Sequence, residues 1–234
     1  MQQLLKLPSG TIPYTLKISA KRRTIGLRID DHGLTVHIPK RIHWPHVEQL
    51  LLEKSAWIIE KLSERENRPE PVTWQDGTTL FYLGEPIVLS LRQDARNRQP
   101  VLDGESLVVA QPDITNTAVI QRKVSQWFAK HAIEDFRRRV ELLAAKLGVP
   151  MPSVFLSNAK TRWGSCNSRG EIRLHWRLIQ APPHIIQYVV AHELAHLKEM
   201  NHSPKFWAWV EKLCPEYAKS RNELKAMSAD LHLV

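Results

Sequence analysis

Four residues between Val189 and Trp207 have the types and spacing for metal chemistry: His192, Glu193, His196 and His202, within VVAHELAHLKEMNHSPKFW. On a helix, residues four apart lie about 40° apart around the axis, so His192 and His196 project from one face and can hold one ion between them. Glu193 stands about 100° round from His192, at the edge of that face, where it can reach a water on the ion without occupying the ion. This is an H-E-x-x-H arrangement. A catalytic zinc takes three protein ligands and leaves its fourth position to water. His202 can be the third ligand, because the segment from His196 could span up to about 20 Å and a turn through KEMN brings the imidazole back. The reaction that matches one Zn2+ per chain held in this way is peptide-bond hydrolysis. The ion lowers the pKa of its water and polarises the scissile carbonyl, while Glu193 takes the water's proton and passes it to the leaving amine. The bland alternative is an amphipathic helix with two surface histidines. Against it, IIQYVVA precedes the motif, and in so apolar a helix an unpaired His and Glu are costly unless metal binding removes the cost.

The elements that must position these residues are legible on either side. Pro182 and Pro183 end a strand and can open the motif helix. Ser203 and Pro204 read as the N-cap and first residue of the next helix, with Phe206, Val210 and Leu213 as its buried stripe. Upstream, a helix from about Thr117 to Leu147 carries an apolar stripe through Val124, Phe128, Phe136 and Val140 and stops at Gly148. Between the helices come a short strand, SVFLS, and a hairpin in which KTRWGSC and EIRLHWRL flank the turn NSRG. KTRWGSC is expected beside the motif helix, with Gly164 allowing close backbone approach and a free edge able to pair an extended substrate. Arg162, His175 and Tyr188 have the chemistry of an oxyanion stabiliser or substrate contact. Trp163 and Trp176 read as core residues. Cys166 reads as a buried or partly buried thiol, since a fourth protein ligand would close the position that catalysis needs. Glu199, Glu211 and Glu216 are near enough in sequence to orient the histidines.

The N-terminal half is β-rich. YTLKI, TIGLRI and LTVHI, with the turn DDHG, predict a small antiparallel sheet. One helix is expected over about 45–66, followed by RENRPEP as a boundary or hinge. Residues 72–110 return to strands: a hairpin from TLFYLG to PIVLSLR and another around Asp103 and Gly104. No internal repeat is visible. The expected architecture is α+β, with a β-rich region over 1–110 and a second domain over 111–234.

The chain of 234 residues has 33 Lys and Arg against 24 Asp and Glu, a formal charge of +9 and a pI of about 9.7. That balance attracts polyanions and admits nucleic acid as a partner. It supports a reading from another class, a nucleic-acid-associated module with a closed structural zinc site. No apolar run has signal-peptide or membrane-spanning length, so no membrane partner is expected. Two cysteines, Cys166 and Cys214, are too few for a disulfide framework, and a cytoplasmic protein with reduced thiols is the expectation.

RWGSC (Arg162 to Cys166) and RLHWRLIQAPPHIIQYVVAHELAHLKEMNHSPKFW (Arg173 to Trp207) resemble the YgjP-like zinc metallopeptidases, relatives of the SprT-like proteases. The likeness is dense from about Lys160 to Leu224 and looser in KRRTIGLRID and SAWIIEKL. It implies a zincin-like metallopeptidase core, zinc on His192, His196 and His202, Glu193 as catalytic residue, and a peptide or protein substrate. His175 departs from it, standing where the family pattern has asparagine. SprT-like relatives act on proteins attached to DNA, so the resemblance also admits a protease acting on DNA-bound proteins, with which the basic charge is compatible.

Overall fold

The computed structural model describes residues 2–7, 10–30, 32–66, 71–96 and 98–234, without the side chains of 64–66. It is α+β and divides into two compact units, Met1–Pro69 and Glu70–Val234. The division falls within the stretch 65–71, expected as a hinge, most of which lies outside the described residues.

The first unit is a four-stranded sheet under two helices. Its strands are β1 (Gln2–Leu7), β2 (Gly10–Ser19), β3 (Gly26–Asp30) and β4 (Gly33–Pro39), ordered β1-β2-β4-β3. The sheet is mixed rather than antiparallel, as β4 runs parallel to β2 and antiparallel to β3. The reason is the connection from β2 to β3, which skips one position and lets the tight β3–β4 hairpin return β4 into the gap. The expected helix over 45–66 is two, α1 (Trp44–Glu53) and α2 (Ser55–Glu66), broken at Lys54. The break keeps the apolar stripe on the sheet: Val47, Leu51 and Ile58 are all buried in one cluster with Leu34, Val36 and Ile38.

The second unit opens with the same plan. Strands β5 (Thr79–Tyr82), β6 (Glu85–Gln93), β7 (Val101–Asp103) and β8 (Ser106–Gln111) are ordered β5-β6-β8-β7, with β6 parallel to β8. In each sheet two hairpins are joined so that their second strands lie side by side in parallel, and a helix follows. No sequence periodicity announces this repetition. Residues 72–110 therefore share a core with the helices: Leu80, Ile87, Leu89, Leu107 and Val109 are buried in the same cluster as Phe128, Phe136 and Val190.

Helix α3 (Thr117–Leu147) is the long spine of this unit, capped by Asn116 Oδ1, which accepts from Val119 N at 3.2 Å, and ended by Gly148. Two polar side chains buried along it serve as ties. Lys123 Nζ donates to Arg98 O at 2.9 Å and Ala110 O at 2.7 Å, joining sheet to helix. Asp135 pairs with Arg138 and Arg139, and Arg139 also donates to Pro183 O at 3.1 Å, where α4 (Pro183–Ala195) begins. A three-stranded sheet follows α3: β9 (Val154–Ser157), β10 (Gly164–Cys166) and β11 (Ile172–His175), ordered β10-β11-β9, so β10 is an edge. Helices α5 (Pro204–Leu213) and α6 (Tyr217–Leu231) complete the unit.

The start of α4 is set from below by the β5–β6 turn. Leu83 and Gly84 both have positive φ, 53° and 85°, the type I′ geometry that matches strand twist in a two-residue hairpin. Their amides donate to Ile179 O at 2.8 Å and Gln180 O at 3.0 Å, in the 3-10 turn Trp176–Gln180 that precedes α4. A Cβ on Gly84 would lie 2.8 Å from Pro182 Cα, so only glycine lets the turn come this close.

Candidate metal centre

Pro182 and Pro183 stand at the mouth of α4, and the helix runs apolar through Ile185, Ile186, Val189 and Val190, all buried, before presenting its polar residues at the far end. His192 lies in its last turn, and His196 is the C-cap residue, still right-handed at φ −63° and ψ −21°. That conformation keeps the four-residue offset, so both imidazoles stay on one face. The chain then turns through 197–201 to His202, directly before α5. Asn201 Oδ1 accepts from Ser203 N at 3.0 Å and Ser203 Oγ from Phe206 N at 3.4 Å, which fixes the loop that carries His202.

The three histidines converge: one ring nitrogen of each lies within 4.8 Å of the others. His192 Nε2 and His202 Nε2 are 3.1 Å apart. Two nitrogens bound to one tetrahedral ion at about 2.0–2.1 Å are separated by about 3.3 Å, so the pair is already close to the spacing such an ion requires. Phe206, fully buried, is the floor, with its ring centroid 4.9, 4.6 and 4.7 Å from those of His192, His196 and His202. His196 Nδ1 is 3.2 Å from Glu199 O, an orientation that leaves Nε2 for the ion. The partner of His196 is thus a main-chain carbonyl rather than one of the nearby carboxylates that the sequence suggests. His192 Nδ1 is buried with no hydrogen-bond partner among the described residues. Burial pushes the His192 pKa down to about 4, with His196 and His202 adding to the effect. Burial lowers that of His196 as well. Neutral imidazoles are the form that binds a cation. An all-imidazole donor set converging at this spacing fits a divalent transition metal.

Glu193 is 5% exposed and lies against Gly164 of β10. Burial raises its carboxyl to about 8, against a lowering contribution from Arg162. Arg162 is exposed. Tyr188, one turn before His192, is buried with its ring 6.0 Å from that of His192. His175 is buried among aromatic rings. Its Nδ1 accepts from Arg177 N at 3.2 Å, its ring meets Trp163 and His232 edge-on at 5.1 Å, and burial pushes its pKa down to about 4. Cys166 is half-buried and its Sγ donates to Asn167 O at 3.6 Å; burial pushes the thiol up to about 11. Trp207, on α5, approaches the triad to 5.8 Å from His192 and carries the Arg221 guanidinium 5.1 Å above its ring. Its sequence signal is only that it follows Phe206 at the exposed side of an amphipathic helix.

Among comparisons with known proteins, the family model described as YgjP-like, metallopeptidase domain, matches residues 23–227. The solved structure of the metallopeptidase zymogen abylysin of Pyrococcus abyssi is 31% identical, with a TM-score of 0.36, over 40% of this chain and 92% of that one. That of the metallopeptidase zymogen jannalysin of Methanocaldococcus jannaschii is 19% identical, with a TM-score of 0.35, over 40% of this chain and 94% of that one. No curated protein sequence matches the chain.

Proposed function

The chain belongs to the YgjP-like metallopeptidase family, and from that premise we propose that it is a zinc peptidase in which His192, His196 and His202 hold the ion and Glu193 is the general base. The observation that carries this reading is the convergence of three ring nitrogens within 4.8 Å beside a buried carboxylate. When bound, zinc supplies a Lewis acid for the scissile carbonyl and makes a water molecule acidic near neutral pH. Glu193 accepts a proton from the attacking water as the new C–O bond forms, then delivers it to the nitrogen as the C–N bond breaks. Its burial favours this work, because a desolvated carboxylate holds a proton more strongly than one in water. A cation held by His192, His196 and His202 would work in the opposite direction and favour the ionised form of Glu193 at rest.

Among the described residues, edge strand β10 pairs only with β11 in its sheet, so its other side can receive an extended peptide by strand addition. Exposed Arg162, at the entrance to β10, and buried Tyr188, beside His192, are the side chains offered for stabilising the developing oxyanion. A closed structural site would need a fourth protein ligand, and the Cys166 thiol is instead directed to Asn167 O.

The test is cleavage of an unfolded protein by the zinc-loaded wild type and by Glu193→Gln, with zinc measured in both. Cleavage by the wild type alone, with zinc retained in both, is the expected result. Equal cleavage by the two proteins would remove Glu193 from the mechanism. Absence of cleavage in both, with zinc bound, would favour a structural ion.

A further inference from the structure

The first unit presents a cation-lined cleft at one end of its sheet. Strands β2 and β4 run in parallel and end side by side at Ser19 and Pro39, so the segments that leave them emerge together. Those segments carry Arg22, Arg23, Lys40 and Arg41, all exposed, and with Ala20 and Pro39 they line a cleft of about 430 Å³. The charge continues onto the sheet. Val36 and Ile38 face the core, so His37 faces the opposite side, in register with Lys17 on β2 and Gly26 on β3. The Arg22 guanidinium lies over Gly26, where a Cβ would come within 3.2 Å of its Cζ. The positive field is felt by His37, whose pKa is pushed down by burial and then by Arg22, Lys17 and Arg28. Arg28 is the one of these cations with a carboxylate partner among the described residues, Asp30 at 3.0 Å.

The second sheet, built on the same plan, is an internal control. Its equivalent connection carries Arg96 and Arg98, but both pair with Asp94, at 3.4 and 3.3 Å. Where the first sheet is followed by Lys40 and Arg41, the second is followed by Asp113. The topology therefore does not require such cations here; among the described residues none of the four has an ion-pair partner, and their mutual repulsion, weak in water, is relieved when an anion meets them.

We propose that this cleft binds the phosphate backbone of duplex DNA. Guanidinium forks match phosphate oxygens, and a duplex presents phosphates in the spaced array that cations spread over a cleft and a sheet face can follow. The open face bears no Phe, Tyr or Trp among the described residues, so the stacking platform typical of single-strand binders is missing. The cleft is lined by the segments that leave β2 and β4 rather than by a helix or ribbon shaped for a groove, so recognition is independent of base sequence.

The test is fluorescence anisotropy of the full chain with a labelled duplex of about 20 base pairs, starting at about 50 mM salt. The wild type is expected to bind with an affinity that falls on salt addition with a log–log slope of about −3 to −4, the value for four phosphate contacts. Arg23→Glu/Lys40→Glu/Arg41→Glu should weaken binding at least about tenfold and flatten that slope. The matched reversal Arg96→Glu/Arg98→Glu/Arg122→Glu should lose much less, with thermal melting used to show that both variants are folded. No salt-dependent binding by the wild type, or equal loss in the two variants, would overturn the proposal. So would equal competition by phosphatidylserine vesicles or polyglutamate at matched charge.

Discussion

Gly164 lies so close to Glu193 that a Cβ added to the glycine would be 2.7 Å from both Cγ and Cδ of the glutamate. The missing side chain of β10 is the space in which the carboxylate sits. Since Glu193 is 5% exposed, it has little room to retreat. Gly164→Ala should therefore displace the carboxylate while leaving the three imidazoles in place. An ångström of misplacement costs on the order of 100-fold in rate, so the expected result is a kcat lower by about that factor with zinc content unchanged. Near-normal kcat in the alanine variant would show that the carboxylate is not confined by β10.

Single substitutions in the triad should rank by how each ligand is held. His192→Ala and His196→Ala each remove a proposed ligand carried on one helix face and should abolish stoichiometric zinc. His202→Ala should weaken zinc severely. Asn201→Ala removes the acceptor that fixes Ser203 N at 3.0 Å beside His202, and loss of such a supporting contact costs about 10–100-fold in metal affinity. Competition with a zinc chelator measures each affinity. Stoichiometric zinc in His192→Ala would defeat the ligand assignment.

His175 should make the metal-free protein acid-sensitive. Its pKa is pushed down to about 4 in the fold, from an ordinary value of 6.5. Between those values the unfolded chain binds the extra proton, so stability is full above about pH 6.5 and is lost as the pH falls toward 4. The loss attributable to this one group between pH 7 and pH 5 is about 2 kcal/mol. Urea unfolding at the two pH values, in the absence of metal, should show a smaller loss for His175→Asn than for the wild type. Equal losses would assign the acid sensitivity to other groups.

Lys123 should matter for stability. It is buried, and its ammonium answers two main-chain carbonyls, Arg98 O and Ala110 O. Lys123→Met fills similar space but leaves both acceptors unanswered, at a cost of about 1–3 kcal/mol. A lowered urea midpoint with an unchanged m-value would report it; an unchanged midpoint would mean that water replaces the ammonium.

The periodic and capped elements were the legible ones. α3 announces itself by a long apolar stripe and a terminal glycine, and α5 by Ser203 and Pro204 ahead of Phe206, Val210 and Leu213. The mixed sheets were not legible, because alternation in TLKI or TVHI shows that a segment is a strand but not which strand lies beside it, or in which direction. The division of the chain was obscured likewise: residues 72–110 read as more of the N-terminal β region, yet Leu89 and Leu107 are buried with α3. The break at Lys54 has no proline or glycine to announce it.

By itself the sequence determined that His192 and His196 share a helix face and that Glu193 stands beside it, because helical geometry follows from local spacing alone. The same spacing left His202 within reach without placing it. Only the tertiary structure decided what surrounds those residues. It fixed which residue of the motif helix Gly164 approaches, namely Glu193, put Phe206 beneath all three imidazoles, turned Glu199 O toward His196 and folded His175 into the packing of Trp163 and His232. Each of these contacts joins segments or main-chain atoms whose meeting depends on how whole elements pack, and no local pattern of residue types carries that information.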